Sequence, residues 1–192
     1  MIALPALVLS DCAGHIANAP STPALTHAAE WTTVAGVPLV RQQGRSDCGS
    51  AALAMVLGHF DPNTTPAEIR AALGPLDDRD QTSGLTAASL RNVARAHGLE
   101  AYVIQAGFAD LRTELERGHP VLVGLYRVVG NRGYPHYEVI AGINPGDQKV
   151  LTADPATGWR EESFQKFGAR WGLSKGLAIV IFPPEERPLA RR

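Results

Sequence analysis

Along this chain, apolar residues first recur with a helical period and later with the alternation of strands. The run CGSAALAMVLGHF is apolar almost throughout and closes at Phe60-Asp61-Pro62, which predicts a helix from Cys48 to about His59. Thr65-Pro66 opens a second helix with proline at its first position, ending near Leu73-Gly74. Thr86 is placed to cap a third, amphipathic helix through Ala96, with Leu90, Val93 and Ala94 on its buried face and Gly98 beyond its end. A strand at Ala101 to Ile104 and a helix at Phe108 to Arg117 follow. The pattern then turns to strands at Val121 to Val129, Tyr137 to Ile143, Lys149 to Ala153 and Leu177 to Phe182. The turn-rich GNRGYP joins the first two and NPGDQ the next pair. Val37 to Val40 reads as a short extended lead-in, and GPLDDRDQTSG, which has no period, as a surface loop. Helices first and sheet second predict a segregated α+β architecture rather than a doubly wound one, and no internal repeat is visible.

Composition narrows the range of functions. The chain has 192 residues, 45% of them hydrophobic, enough for one sizeable core; a domain of about 150 residues buries roughly 70% of its unfolded surface. Eighteen basic against nineteen acidic side chains leave a net charge of -1, so no overall field attracts nucleic acid. Two cysteines, Cys12 and Cys48, form no CxxC pair, and neither a disulfide framework nor a zinc site is expected. At the start, MIALPALVLSDCAGH carries an apolar run, Ile2 to Leu9, too short to span a bilayer. It reads as the end of a signal peptide, or as a lipoprotein processing site with Cys12 as a candidate lipid anchor, although Asp11 stands where a small residue is usual. The expected organisation is a signal- and linker-like segment over residues 1–30, a globular domain over 31–183 and a disordered tail over 184–192, in an exported, periplasmic or membrane-anchored protein.

The chemistry centres on Cys48. At the start of a helix, several backbone N–H groups lack intrahelical partners and the helix's positive end favours a thiolate. A nucleophilic cysteine needs a base. His59, eleven residues on along the same helix, lies some 16 Å away at about 1.5 Å per residue and is excluded. His97 sits at a helix end before Gly98, His119 reads as a turn residue before Pro120, and His15 and His27 fall in the N-terminal segment. His136, at the start of HYEVIAGI, is placed to present its ring to a cleft, or is simply a satisfied strand-end histidine. In KVLTADPATG, Asp154 ends the strand that would pair with that of His136, where a carboxylate orients an imidazole; Asp before Pro is also an ordinary strand exit. Gln42 and Gln43, shortly before Cys48, both offer a side-chain amide for an oxyanion.

Together these residues carry a resemblance. QQGRSDCGSAALAMVLGHF resembles the active-site segment of the double-glycine leader peptidases, papain-like domains that trim bacteriocin precursors and are often fused to ABC exporters. The family's Gln, acidic residue, Cys and Gly match Gln42, Asp47, Cys48 and Gly49; its His and Asp match His136 in PHYEVIAGI and Asp154 in TADPATG. TSGLTAASLRNVARAHGLEAYVI is similar to the family's intervening helix, so the likeness covers about Val37 to Phe182. The resemblance implies a papain-like α+β fold and a cysteine endopeptidase cutting after Gly-Gly, with Cys48, His136, Asp154 and Gln42 catalytic and no cofactor or metal. It chooses Gln42 over Gln43, and it implies a peptide or protein substrate with a Gly-Gly motif. No transmembrane bundle or Walker motif follows, so a separate secretion system or transporter is the expected partner. A narrow cleft would suit glycines, with the loop Gly74 to Gly84 as one wall. The rival readings are a non-catalytic docking module for leader peptides or partners, and acyl transfer to an amine as in the papain-like phytochelatin synthases, which carry further metal-responsive cysteines.

Overall fold

The structure, a computed structural model, describes residues 21–25, 30–44, 46–74, 85–130 and 132–186. Cys12, His15, His27 and, after Gly74, the loop expected to wall the cleft lie outside these residues. In chain order the elements are β1 (Thr32–Thr33), α1 (Cys48–Phe60), α2 (Pro66–Leu73), α3 (Ala87–Ala96), β2 (Glu100–Gln105), α4 (Phe108–Glu116), β3 (Val121–Val129), β4 (Arg132–Asn144), β5 (Lys149–Asp154), β6 (Gly158–Ser163), α5 (Phe164–Gly172), β7 (Leu177–Phe182) and a 3-10 turn at Pro184–Glu186.

One mixed core results. α1 is buried at every position from Cys48 to Gly58, as an all-round apolar helix must be. It packs on α2, α3, β3 and β4. Helix starts are closed as the sequence predicts: Thr65 and Glu68 exchange backbone and side-chain hydrogen bonds at α2 (2.9 and 3.2 Å), and Thr86 accepts from the Ser89 N–H at α3 (3.1 Å). The sheet runs β2-β7-β3-β4-β5-β6, with β1 beside β4, and each of these pairings is antiparallel.

Several expectations need correction. The α+β class stands, and β2 precedes α4 as expected, but a further helix, α5, separates β6 from β7. Val37 and Val40 are buried without forming a strand; the segment that pairs is Thr32–Thr33, extended by a hydrogen bond from Val34 N–H to the Ala141 carbonyl (2.8 Å). GNRGYP is mostly strand: β4 begins at Arg132, which pairs with Val129 across Gly130 at φ +60°. The pattern predicts neither β6 nor α5. β6 is charged (GWREES), and α5 buries only Phe167 and Trp171 of its nine residues. At the chain ends, Pro184–Glu186 form a turn within the expected tail, and Thr22 joins the body through its hydroxyl, which donates to the Val34 carbonyl (2.9 Å) and accepts from the Val37 N–H (3.1 Å). Among the described residues no helix is long and apolar enough to cross a membrane.

Candidate active site

Cys48 is the first residue of α1 and is 4% exposed. Asp47 precedes it as the cap: its carbonyl accepts from the Ala51 N–H (3.0 Å), and its carboxylate accepts from the Ser50 hydroxyl and the Gln43 N–H (3.0 Å) and lies 3.6 Å from the Arg70 guanidinium. These bonds fix the turn that presents the thiol. Gly49 explains how closely the helix start approaches the sheet. A Cβ there would lie 3.2 Å from the Tyr137 ring and 3.3 Å from Leu85, so a bare backbone lets α1 settle against β4.

His136 is the residue opposite. It lies inside β4, paired with Leu125, rather than at the strand's start. Its ring hydrogen-bonds to Asp154, and the Cys48 thiol is near enough to raise its proton affinity. Nε2 meets Asp154 Oδ1 at 2.7 Å, which leaves Nδ1 for the thiol. Asp154 ends β5 just beyond the Val139–Ala153 pair, so it approaches His136 diagonally across the two strands. Burial alone would lower the proton affinity of His136, but the Asp154 hydrogen bond and charge, together with Cys48, raise its pKa to about 9. Burial pushes Asp154 the other way from what results: the bonds from His136 and Thr157, the His136 charge and the Ala156 N–H hold its carboxyl well below the usual range. Tyr137 is pushed up by burial and by Cys48, and its hydroxyl donates to the Leu85 carbonyl at 2.9 Å.

A buried ionic group behind this line escaped the sequence reading. Strand alternation puts Glu138 on the His136 face of β4, fully buried. Arg160 on β6 donates through Nη1 to Asp154 Oδ2 (2.7 Å) and through Nη2 to both Glu138 oxygens (2.7 Å each). Arg170 of α5 reaches Glu138 Oε1 (2.9 Å) and Glu162. His136, Glu138 and Asp154 offer three ligand-type atoms within 4.8 Å of one another, but the Arg160 guanidinium bonds both carboxylates and supplies the positive charge there. The available signal was Glu138 inside an apolar strand, two residues from His136.

Gln42 adjoins the line through the chain. Its N–H donates to the Pro155 carbonyl (3.1 Å), next to Asp154; its Nε2 donates to the Gly44 carbonyl (2.8 Å), and its Oε1 is buried without a hydrogen-bond partner. Gln43 is exposed. His59 bonds across the fold, Nε2 to the Gly118 carbonyl beyond α4 at 3.2 Å, and burial lowers its pKa. His97 caps α3. His119 is no loose turn residue: it is buried, 2.8 Å from Glu114 and stacked on Phe182. A cavity of about 300 Å³ opens beside His136 between Leu125, Tyr126, Pro135, Leu173 and Leu177.

Comparison with known proteins places the chain in a family. Residues 36–186 match the Peptidase C39 family. The mesentericin-Y105 transport/processing ATP-binding protein MesD of Leuconostoc mesenteroides is 32% identical over 157 residues, 79% of this chain and 20% of that protein. The lactococcin-G-processing and transport ATP-binding protein LagD of Lactococcus lactis subsp. lactis is 28% identical over 145 residues, 76% and 18% of the two chains. This chain therefore spans about a fifth of the length of the curated relatives it matches. Among solved structures, the peptidase domain of Streptococcus ComA, a bi-functional ABC transporter involved in a quorum-sensing pathway, superposes with a TM-score of 0.60 at 25% identity, over 77% of this chain and 99% of that one. A double glycine motif protease from an AMS/PCAT transporter, in complex with its leader peptide, shares the fold with a TM-score of 0.60 at 23% identity, over 79% and 94%. The mixed helices and antiparallel sheet match the papain-like fold of such peptidase domains, and the chain belongs to the Peptidase C39 family of cysteine peptidases.

Proposed function

We propose that this chain is a cysteine endopeptidase domain that cleaves after a Gly-Gly pair in the leader of a peptide or secreted-protein precursor. The single observation that carries the reading is the buried line Cys48–His136–Asp154 across α1, β4 and β5, in which His136 hydrogen-bonds to Asp154 and is coupled electrostatically to Cys48. In this reading the Cys48 thiolate attacks the peptide carbonyl while the imidazolium of His136 stands beside it. His136 then protonates the leaving amine, and after an acyl-enzyme forms it takes a proton from water. Asp154 holds the ring in one tautomer and stabilises its charge. The oxyanion meets the backbone N–H of Cys48, in the unpaired first turn of α1, and the second amide hydrogen of Gln42, whose first is spent on Gly44. Relatives named for bacteriocin processing, and a fold neighbour bound to a leader peptide, support the substrate class.

The test uses synthetic leader peptides with and without Gly-Gly, with products mapped by mass spectrometry. Cleavage after the second glycine that disappears in Cys48→Ala is the expected result. Binding with no cleavage in the wild type would instead make the chain a docking module, and a product carrying an added amine would indicate transfer. The reading extends to an exported protein, lipidated or processed near Cys12, supported by the apolar run that precedes it. The intact mass of the protein from its native membrane fraction tests that part.

A further inference from the structure

The Cys48–His136–Asp154 line does not account for the buried charges behind it. Glu138 is fully buried in the central strand β4, an uncommon place for a carboxylate unless something is gained by it. Its oxygens meet two guanidiniums, and one of these, Arg160, spans from Glu138 to the Asp154 oxygen that His136 does not use. Thr157 donates to that same oxygen at 2.6 Å and also accepts from Arg160 at 3.0 Å. With Ala156 N–H on Oδ1 at 2.8 Å, the carboxylate is held at both oxygens and has one orientation toward the ring.

We propose that Arg160, clamped by Glu138, is a positioning residue that acts on His136 through Asp154 by balancing the charge around the imidazole. The cluster contains three carboxylates (Glu138, Asp154 and Glu162) and two guanidiniums (Arg160 and Arg170), so a protonated His136 supplies the positive charge that neutralises it. Groups that face or border the ring come from every neighbouring element: Cys48 of α1, Glu138 of its own strand, Asp154 of β5, Arg160 of β6, and Lys175, which lines the cavity beside it. Arg160 is suited to this task where lysine is not, because its planar fork reaches two carboxylates at once. Neither Glu138 nor Arg160 touches Cys48 in any hydrogen bond of the described residues, so both act through Asp154 and His136.

The inference rests on the Cys48–His136 pairing and is tested without any substrate, so that a failure of the Gly-Gly assay and a failure here are told apart. The His136 ring is titrated by NMR in the wild type, Glu138→Gln, Arg160→Gln and the double variant. Removing the buried negative charge should weaken proton binding at His136 about tenfold, and removing the positive charge should strengthen it by a similar factor. The double variant keeps the net charge and should return close to wild type. A merely structural role would move both single variants in the same direction, toward a free imidazole, and that result would overturn the proposal. So would an unmoved midpoint in Glu138→Gln, which preserves the shape of the side chain and decides the matter if Arg160→Gln does not fold.

Discussion

Replacing Asp154 by Asn probes the charge coupling on which the site depends. Asp154 accepts four hydrogen bonds, from His136, Ala156, Thr157 and Arg160, and an amide must turn its NH2 toward two of these donors. In the wild type Asp154 and Cys48 raise the ring's pKa from 6.5 to about 9, a difference worth about 3 kcal/mol. A histidine whose folded pKa is raised stabilises the fold fully below the unfolded value of 6.5, and this contribution is lost as pH rises through about 9. Asp154 has the opposite sign: its contribution is present above the ordinary carboxylate range and is lost in acid. Between pH 6 and 10 the carboxylate stays ionised, so the stability difference between wild type and Asp154→Asn should shrink with rising pH, by up to about 3 kcal/mol. Urea unfolding at half-unit pH steps measures it. At pH 7.5 nearly all the wild-type rings carry a proton, against roughly one in ten if the variant returns to 6.5, so alkylation of Cys48 by iodoacetamide should slow about tenfold. A stability difference that stays constant across this range, with unchanged alkylation, would refute the coupling.

Further outcomes follow from single contacts. Cys48→Ala removes the nucleophile and substitutes the best helix former, so turnover should vanish while the denaturation midpoint stays within about 1 kcal/mol of wild type. Gln42→Ala should lower kcat about a hundredfold on a cleaved peptide and leave KM nearly unchanged, as expected of a group that meets the oxyanion only. Gly49→Ala forces the Tyr137 ring and Leu85 to give way at 3.2 and 3.3 Å and should cost about 1–3 kcal/mol in thermal unfolding. Gly176→Ala should cost more, about 3 kcal/mol or above, because φ is +71° and the new Cβ would sit 2.4 Å from the Ala106 carbonyl oxygen, which is backbone.

What the sequence revealed and concealed divides along physical lines. α1, α2 and α3 were legible because apolar spacing, Thr65-Pro66 and the Thr86 cap act locally, and the structure ends them within a residue or two of the expectation. The strands Val121–Val129 and Leu177–Phe182 were legible because a buried antiparallel strand is an apolar run. Cys48, His136 and Asp154 meet as the spacing and the resemblance suggested, though His136 sits deeper in its strand, since Arg132–Pro135 pair with Val129–Tyr126 despite their turn-like composition. Gln42 is beside Asp154 through Pro155, a contact that no local pattern encodes.

The unpredicted part, β6 with α5, is also the part that supports the site. GWREES lacks the alternation of a half-buried strand because its charged residues Arg160 and Glu162 point into the buried cluster rather than to solvent, and their partners, Glu138 and Arg170, are 22 and 8 residues away in sequence. A pattern of apolar periods cannot register a strand whose inward face is ionic. The same pairing explains why the segment is ordered at all: Glu138 alone in β4 would be an uncompensated buried charge, and Arg160 and Arg170 alone would belong in water. Each makes sense only when the β5–β6 hairpin and α5 have closed over β4, so the chemistry that holds Asp154 on His136 also selects the register of the sheet edge.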